Sequence, residues 1–384
     1  MNVDIEKLAR LVVSALGNER AIDLRYRDSR GMTTAEADLP NYKLMKQIAL
    51  KRRFGFLYSL IIPFAPLAIF ATFPFQWALA LLGSLGYQSM QTRDICCRLL
   101  VTTPQNIDLI DSALLSDNNV SHLKKIKLDF TCFSFGRQLG RLAVLRCIHT
   151  HIRLICMLRK TPAGARRDII LHARDSLALI MLGYSALSCS DIFVTDDHYQ
   201  RWSFVLSHAS DRFQIVQHGF LDQDICFPHP FGTVETLFIR DAIFFENFDR
   251  IYKVSSSKIF KPGTGFELTK CSEGALFLAS SFPAIDSELE FISKVKAEEN
   301  IPLIIKFHPA HTYDGRKAQL AALADFVYEG HGNPACRFFA SYNSFMEFDY
   351  SSAYIPTISI LRAGGAEAAF TQLRQLLKSS HPFS

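Results

Sequence analysis

Lys306 and His308 stand one residue apart at the end of the apolar run 303–307, and together could hold an anion. Pro309 follows. Proline cannot donate to a sheet ladder and drives the residue before it out of helical conformations, so a strand here should stop at His308. Side chains two apart on a strand share a face. An ammonium and an imidazole then sit together at the carboxyl end of a buried strand, where open α/β sheets bind their ligands. Two such donors suit a phosphate; a snorkelling lysine beside a turn-capping histidine is the plainer reading of the same residues.

Other polar clusters fall at comparable places. The apolar run 191–195 leads into Asp196-Asp197-His198, 213–217 into His218-Gly219, and 274–279 into Ser280-Ser281. Ser344 and Glu347 are three apart at the expected start of a helix, where a hydroxyl and backbone N–H groups could lie beside an anion. Each has an ordinary structural role as well: N-caps for Asp196 and Ser280-Ser281, a turn for Gly219, a capping box for Ser344 and Glu347. Their order carries the weight, because all occur at the same end of successive strands.

The elements that must position these residues alternate in the manner of a doubly wound parallel sheet. Strands are expected at 97–103, 124–130, 191–195 and 213–217, with helices at 104–114, 139–159, 177–187 and 199–207; 167–172 reads as strand or helix. The helix 139–159 and its flanks carry Arg137, Arg141, Arg146, Arg153, Arg159 and Lys160, which could face phospholipid, an anionic acceptor or water. Residues 222–272, with Pro228, Pro230 and Pro262, read as a linker and cleft region. Strands at 274–279, 302–307, 337–340 and 355–360 then repeat the alternation, with helices at 285–299, 314–326, from 343 and at 367–378.

A chain of 384 residues, 49% hydrophobic and 21% charged, has ample core for two to three domains. A net charge of +5 calls for no nucleic acid, and suits anionic membranes or phosphorylated substrates. The nine cysteines are scattered with no CxxC, which points to reduced thiols in a cytoplasmic compartment and away from a cysteine-built metal site. The opening Met1-Asn-Val-Asp-Ile-Glu is too polar and acidic for a signal peptide.

Between Lys51-Arg52-Arg53 and Arg93 lie 39 residues, 54–92, without a formal charge. Prolines at 63, 66 and 74 divide them into two apolar arms of unequal quality; against the roughly 17–25 apolar residues of a spanning helix, one span is possible if the prolines are tolerated and two full spans are not. Basic residues on both sides place both ends in the cytoplasm. A re-entrant or interface-embedded hairpin is the expectation, with a buried helical hairpin or an oligomer interface as the alternative.

Gln217-His218-Gly219, Ser280-Ser281, Lys306-x-His308-Pro309 and Ser344-x-x-Glu347 together resemble the bacterial GT-B glycosyltransferases of surface polysaccharide assembly, a set that includes capsule and lipopolysaccharide sugar transferases and the CDP-glycerol glycerophosphotransferases. The resemblance is one of motifs and covers about residues 95–360. It implies an α/β chain of two Rossmann-like domains facing a cleft, preceded by an N-terminal helical, membrane-associating hairpin segment. The expected layout is a polar helical segment 1–53, the hairpin 54–92, an acceptor domain 93–255 and a nucleotide-donor domain 256–384. Lys306 and His308 would neutralise the donor phosphates. Ser280, Ser281 and Ser344 would bond phosphate or ribose, and Glu347 ribose or sugar hydroxyls. His218 or Asp197 would be the general base on the acceptor hydroxyl. The expected partners are a nucleotide sugar, a glycan or glycolipid acceptor, and membrane lipid through 54–92 on the inner face of the bacterial cytoplasmic membrane. No cofactor and no metal are expected, since the one adjacent acidic pair that follows an expected strand, Asp196-Asp197, is not a DxD motif. Two departures stand out: Asn343 where the family often has serine, and Asp-Asp-His in place of the acidic-acidic-glycine motif of the HP-motif sialyltransferases, which belong to the same set. Glycerophosphate transfer on the same fold, or a non-catalytic scaffold of a polysaccharide assembly complex, are the competing functions.

Overall fold

The computed structural model describes residues 4–28, 50–87, 95–102, 106–219, 221, 226–260, 268–269, 274–281, 284–308, 315–330 and 332–379. The chain divides into two compact units, Met1–Pro262 and Gly263–Ser384, each a mixed α/β structure built on a parallel sheet.

In the first unit the strands are β1 (Cys96–Leu100), β2 (Lys124–Lys127), β3 (Ile192–Thr195), β4 (Phe213–Val216), β5 (Thr233–Ile239) and β6 (Lys253–Ile259). They lie in the order β2-β1-β3-β4-β5-β6, all parallel. Every residue of β3 and β4 is buried, as apolar strands covered on both faces must be. The helices of this unit are α1 (Ile5–Asp28), α2 (Phe56–Ile61), α3 (Ala65–Leu85), α4 (Ile107–Leu115), α5 (Cys132–Arg159), α6 (Ala163–His172), α7 (Ser176–Ser188), α8 (Arg201–Ala209) and α9 (Phe245–Asp249). The stretch 222–272, expected to be a linker, instead supplies β5 and β6. Pro228 and Pro230 precede β5 rather than interrupt it, and Val234, Leu237, Phe238 and Ile239 are buried. β6 is a polar, mostly exposed edge strand whose lysines and serines blunt that edge, which is why it reads as loop; it also runs across position 255/256. Nor does the N-terminal helix stand apart. Leu8, Val12 and Leu16 of α1 are buried, and the Asn18 amide exchanges two hydrogen bonds with the His229 backbone at 2.9 and 3.0 Å.

The expected hairpin at 54–92 is, over Phe56–Leu85, one helical run. A 3-10 turn (Ile62–Phe64) joins α2 to α3, and Ile61, Ile62, Phe64 and Ala65 all keep right-handed helical backbone angles. The chain does not reverse there because Pro63 and Pro66 fall at first-turn positions, where a missing N–H breaks no bond. At 30 residues it is the one helix among the described residues long and apolar enough, by length and composition, to cross a membrane.

α3 is pressed backbone to backbone against α5. A Cβ on Gly83 would lie 2.2 Å from the Phe133 carbonyl oxygen, and one on Gly136 would lie 2.2 Å from that of Ala80. Further along, Trp77 Nε1–H donates to His151 Nδ1 at 2.9 Å, so the opposite ring nitrogen carries the proton and donates to Ser176 Oγ at 2.7 Å. Burial pushes the His151 pKa down to about 4, which keeps this link neutral. Gly136→Ala is expected to lose about 1–3 kcal/mol of stability, because rigid backbone must move and alanine's helix propensity returns only about 1 kcal/mol. An unchanged melting temperature would contradict the contact.

In the second unit the strands are β7 (Leu268–Thr269), β8 (Leu276–Ser280), β9 (Leu303–Phe307), β10 (Phe326–Val327), β11 (Asn333–Pro334), β12 (Phe338–Ser341) and β13 (Thr357–Ser359). Five of them form a parallel sheet in the order β10-β9-β8-β12-β13, and β7 pairs separately with β11. The helices are α10 (Ile285–Glu298), α11 (Gly315–Leu323), α12 (Met346–Ser352), α13 (Ile360–Ala363) and α14 (Ala366–Ser379). Alternate strand residues build two cores. Leu276, Leu278, Leu303, Ile305 and Ala340 pack with Phe291 and Val295 of α10 and Phe370 of α14. Phe277, Ile304 and Phe339 pack on the other side with Tyr350 of α12.

Candidate functional site

Each sheet has one place where the chain moves from building strands on one side to building them on the other, and there neighbouring strand ends splay apart into a crevice. In the first unit this lies between β1 and β3. Asp196, wholly buried, fills it: its carboxylate accepts from the Thr102 N–H at 2.8 Å, from the Thr102 hydroxyl and from the Asn106 amide. The Asp197 carboxylate turns inward to the Gln200 N–H at 3.1 Å and the Ser203 hydroxyl at 2.8 Å, tying down the start of α8. Burial pushes its pKa up to about 7, against the pull of the Ser203 hydrogen bond and with a push from Glu19 and Asp196.

His198 and His218 lie next to each other beside these carboxylates, ring centroids 4.5 Å apart and planes tilted by 40°. His198 is buried; its Nε2 accepts the backbone N–H of His218 at 3.1 Å, and Tyr252 donates its hydroxyl to the His198 carbonyl. Burial, with His218 alongside, holds the His198 pKa well below the usual histidine range, so this ring is a neutral acceptor. His218 is exposed, and its Nδ1 meets the Asp196 carbonyl. A carbonyl can only accept, so Nδ1 carries the proton and Nε2 presents a lone pair. Of the two first-unit residues singled out from sequence, His218 is thus offered to solvent and Asp197 belongs to the interior.

The corresponding place in the second unit lies between β8 and β12. Ser280 and Ser281 end β8. The Ser280 hydroxyl and the Ser281 N–H both meet Glu288 of α10, at 2.6 and 2.7 Å, and the Ser281 hydroxyl is buried beside the same carboxylate. Burial pushes the Glu288 pKa up to about 7, the hydrogen bonds from Ser280 and Ser281 acting against it. At the end of β12, Ser341 Oγ receives the Ser344 N–H at 2.8 Å and donates to Glu347 at 2.6 Å. The Ser344 hydroxyl accepts from the Met346 N–H at 3.2 Å, starting α12. Glu347 is only 1% exposed; its second oxygen pairs with Arg362, whose side chain is 48% exposed. Glu347 is therefore an internal tether that aims a guanidinium, and burial raises its pKa despite Ser341 and Arg362.

β9 lies on the other flank of β8. Its strand ends at Phe307, and the exposed His308 donates its N–H to the Ser280 carbonyl at 3.2 Å. The Lys306 ammonium sits 5.3 Å from the centre of the Tyr328 ring and donates to the Gly332 carbonyl at 3.1 Å. Pro309, which completes the motif, falls outside the described residues. Lys306, His308, Ser280, Ser281, Ser344 and Glu347 thus fall at the ends of three consecutive strands, β9, β8 and β12.

Thr102, Asn106, Glu288, Ser341 and Arg362 were missed from sequence. Thr102 and Ser341 carry the same signal as the residues found, a hydroxyl at a strand's carboxyl end. Glu288 and Arg362 sit on the helices after β8 and β13, where nothing local marks them.

No protein-family model and no curated protein matches the chain. Among solved structures, UDP-N-acetylglucosamine 2-epimerase from Rickettsia bellii is similar over 70% of this chain and 79% of that one, with 9% identity and a TM-score of 0.32, a likeness too slight to carry a functional inference.

Proposed function

We propose that the chain moves a sugar from a nucleotide-sugar donor to a glycan or lipid-linked acceptor in bacterial surface polysaccharide assembly, at the inner face of the cytoplasmic membrane and without a metal ion. One observation carries the reading: hydroxyl, imidazole and cationic groups gather at three adjacent strand ends of the second unit, around the reversal of strand order. Lys306, His308 and the Ser281 and Ser344 hydroxyls are suited to the donor's phosphates, with Arg362 a further cation at the same sheet edge. As the bond from sugar to phosphate oxygen breaks, charge builds on the leaving nucleotide; fixed donors of this kind are each worth about 10²–10³ in rate. The lone pair on His218 Nε2 is suited to take the proton from the acceptor hydroxyl whose oxygen forms the new bond.

Thermal stabilisation by UDP-, CMP-, GDP- and CDP-linked donors tests this, because a ligand that binds only the folded state must raise its stability. One donor is expected to raise the melting temperature. His308→Ala is expected to weaken that donor about 10–100-fold, the loss of one hydrogen bond to a charged group. If none of the four stabilises the protein, the reading is wrong; a response to CDP-glycerol alone would redirect it to glycerophosphate transfer.

A further inference from the structure

Leu60, Phe64, Leu67, Phe75, Leu82 and Leu85 recur at helical spacing along the run Phe56–Leu85, and each is more than half exposed. Exposed Ala71 and Ala78 complete the stripe. The opposite side is occupied: Phe73, Ala80, Gly83 and Ser84 are buried, and the glycine contacts with α5 allow no separation. The run itself is charge-free, but cations stand at both ends. Arg52 and Arg53 are exposed just before it, and the Arg137 guanidinium reaches within 3.8 Å of a Cβ built on Gly86, just after it. α5, which holds the run in place, contains five arginines and no carboxylate.

We propose that this run lies in the plane of a single leaflet of anionic phospholipid, its stripe sunk among the acyl chains and its two cationic ends at the headgroups. The proposal rests on the membrane-associated reading above and specifies its mode and its lipid. Crossing is disfavoured by the attachment to α5: from Phe73 to Ser84 the helix travels with a partner carrying exposed Arg137, Arg141 and Arg153, which would enter the hydrocarbon with it. The part that precedes Phe73, residues 56–72, is about 25 Å long at helical rise, short of the roughly 30 Å hydrocarbon core. An apolar face with cations at its margins is the signature of an interfacial helix on an anionic surface. A second copy of the chain fits the stripe poorly. Two such helices laid together, parallel or antiparallel, would set arginine ends against arginine ends.

The test is sedimentation of the full-length protein with vesicles of neutral phosphatidylcholine and with vesicles containing phosphatidylglycerol. The protein is expected to bind the anionic vesicles far more tightly and to be released by salt. R52Q/R53Q/R137Q should weaken that binding by up to about a hundredfold, while F64Q/L67Q/F75Q should abolish binding to both. Circular dichroism and melting temperature of each variant confirm the fold. Equal binding to both vesicles, indifferent to the arginine substitutions, would refute the anionic-leaflet proposal and leave membrane association standing. Failure of the folded protein to bind either vesicle would remove the membrane reading itself. A wild-type dimer that F64Q/L67Q/F75Q converts to monomer, with no vesicle binding, would assign the stripe to a subunit interface and overturn both.

Discussion

Replacing His218 by alanine is expected to lower sugar transfer by about 10²–10⁴, the usual worth of a general base, while the melting temperature hardly moves. The separation of the two effects follows from geometry. His218 is exposed, and the bond that fixes its backbone, from its N–H to His198 Nε2, survives any substitution of its side chain. What the alanine removes is an imidazole whose proton is held on Nδ1 by the Asp196 carbonyl, and with it the Nε2 lone pair. Turnover with the stabilising donor is the measurement, with the thermal shift as control. If turnover persists and donor binding is intact, the base is another group. Asp197 is the weaker candidate, since its carboxylate is already engaged by Gln200 and Ser203.

The strand ends were legible from sequence wherever an apolar run stopped at a polar cluster. β3, β4, β8 and β9 are short apolar runs that stop at a polar cluster, and each lies within a residue or two of where its pattern puts it. β6 was not legible, because an edge strand needs no apolar face and Lys253–Ile259 has little of one. The prolines of the apolar segment look like breaks, yet Pro63 and Pro66 stand at first helical positions, where they break nothing, and Pro74 lies inside α3 without ending it. Harder still was telling which polar groups a crevice offers and which it consumes. Asp196 looks like a ligand group from sequence, yet its acceptor capacity is taken by Thr102 and Asn106, the latter 90 residues away. Glu347 looks like a ribose ligand but holds Ser341 and Arg362. Such pairings depend on which strands become neighbours, and strand order is a property of the whole sheet.

Glu288 shows that dependence most sharply, and its substitution by glutamine is expected to stabilise the protein above neutral pH. Burial holds its carboxyl near pKa 7 in the folded chain, against 4.5 when free. Between those values the folded state keeps a proton that the unfolded state has lost, so stability falls as pH rises through the window, by up to about 3 kcal/mol in all. Above pH 7 the full penalty is present; below pH 4.5 it is absent. Glutamine reproduces the protonated carboxyl: its carbonyl accepts from the Ser281 N–H, and its amide donates to Ser280 Oγ, the atoms now paired with the two carboxylate oxygens. Chemical denaturation should therefore find Glu288→Gln more stable than the parent at pH 8 and equal to it at pH 4. Asp197, raised in the same direction, contributes equally to both proteins and cancels from the difference. A variant that is less stable at pH 8, or a difference indifferent to pH, would show that the fold does not raise the Glu288 pKa. The chemistry gives a reason for a neutral group there. A carboxylate one hydrogen bond behind Ser280 and Ser281 would repel a phosphate held at that strand end, whereas a neutral Glu288 orients the same two residues without opposing it. On that ground the glutamine variant should bind the stabilising nucleotide at least as well as the parent at pH 8, where the parent's Glu288 is largely ionised.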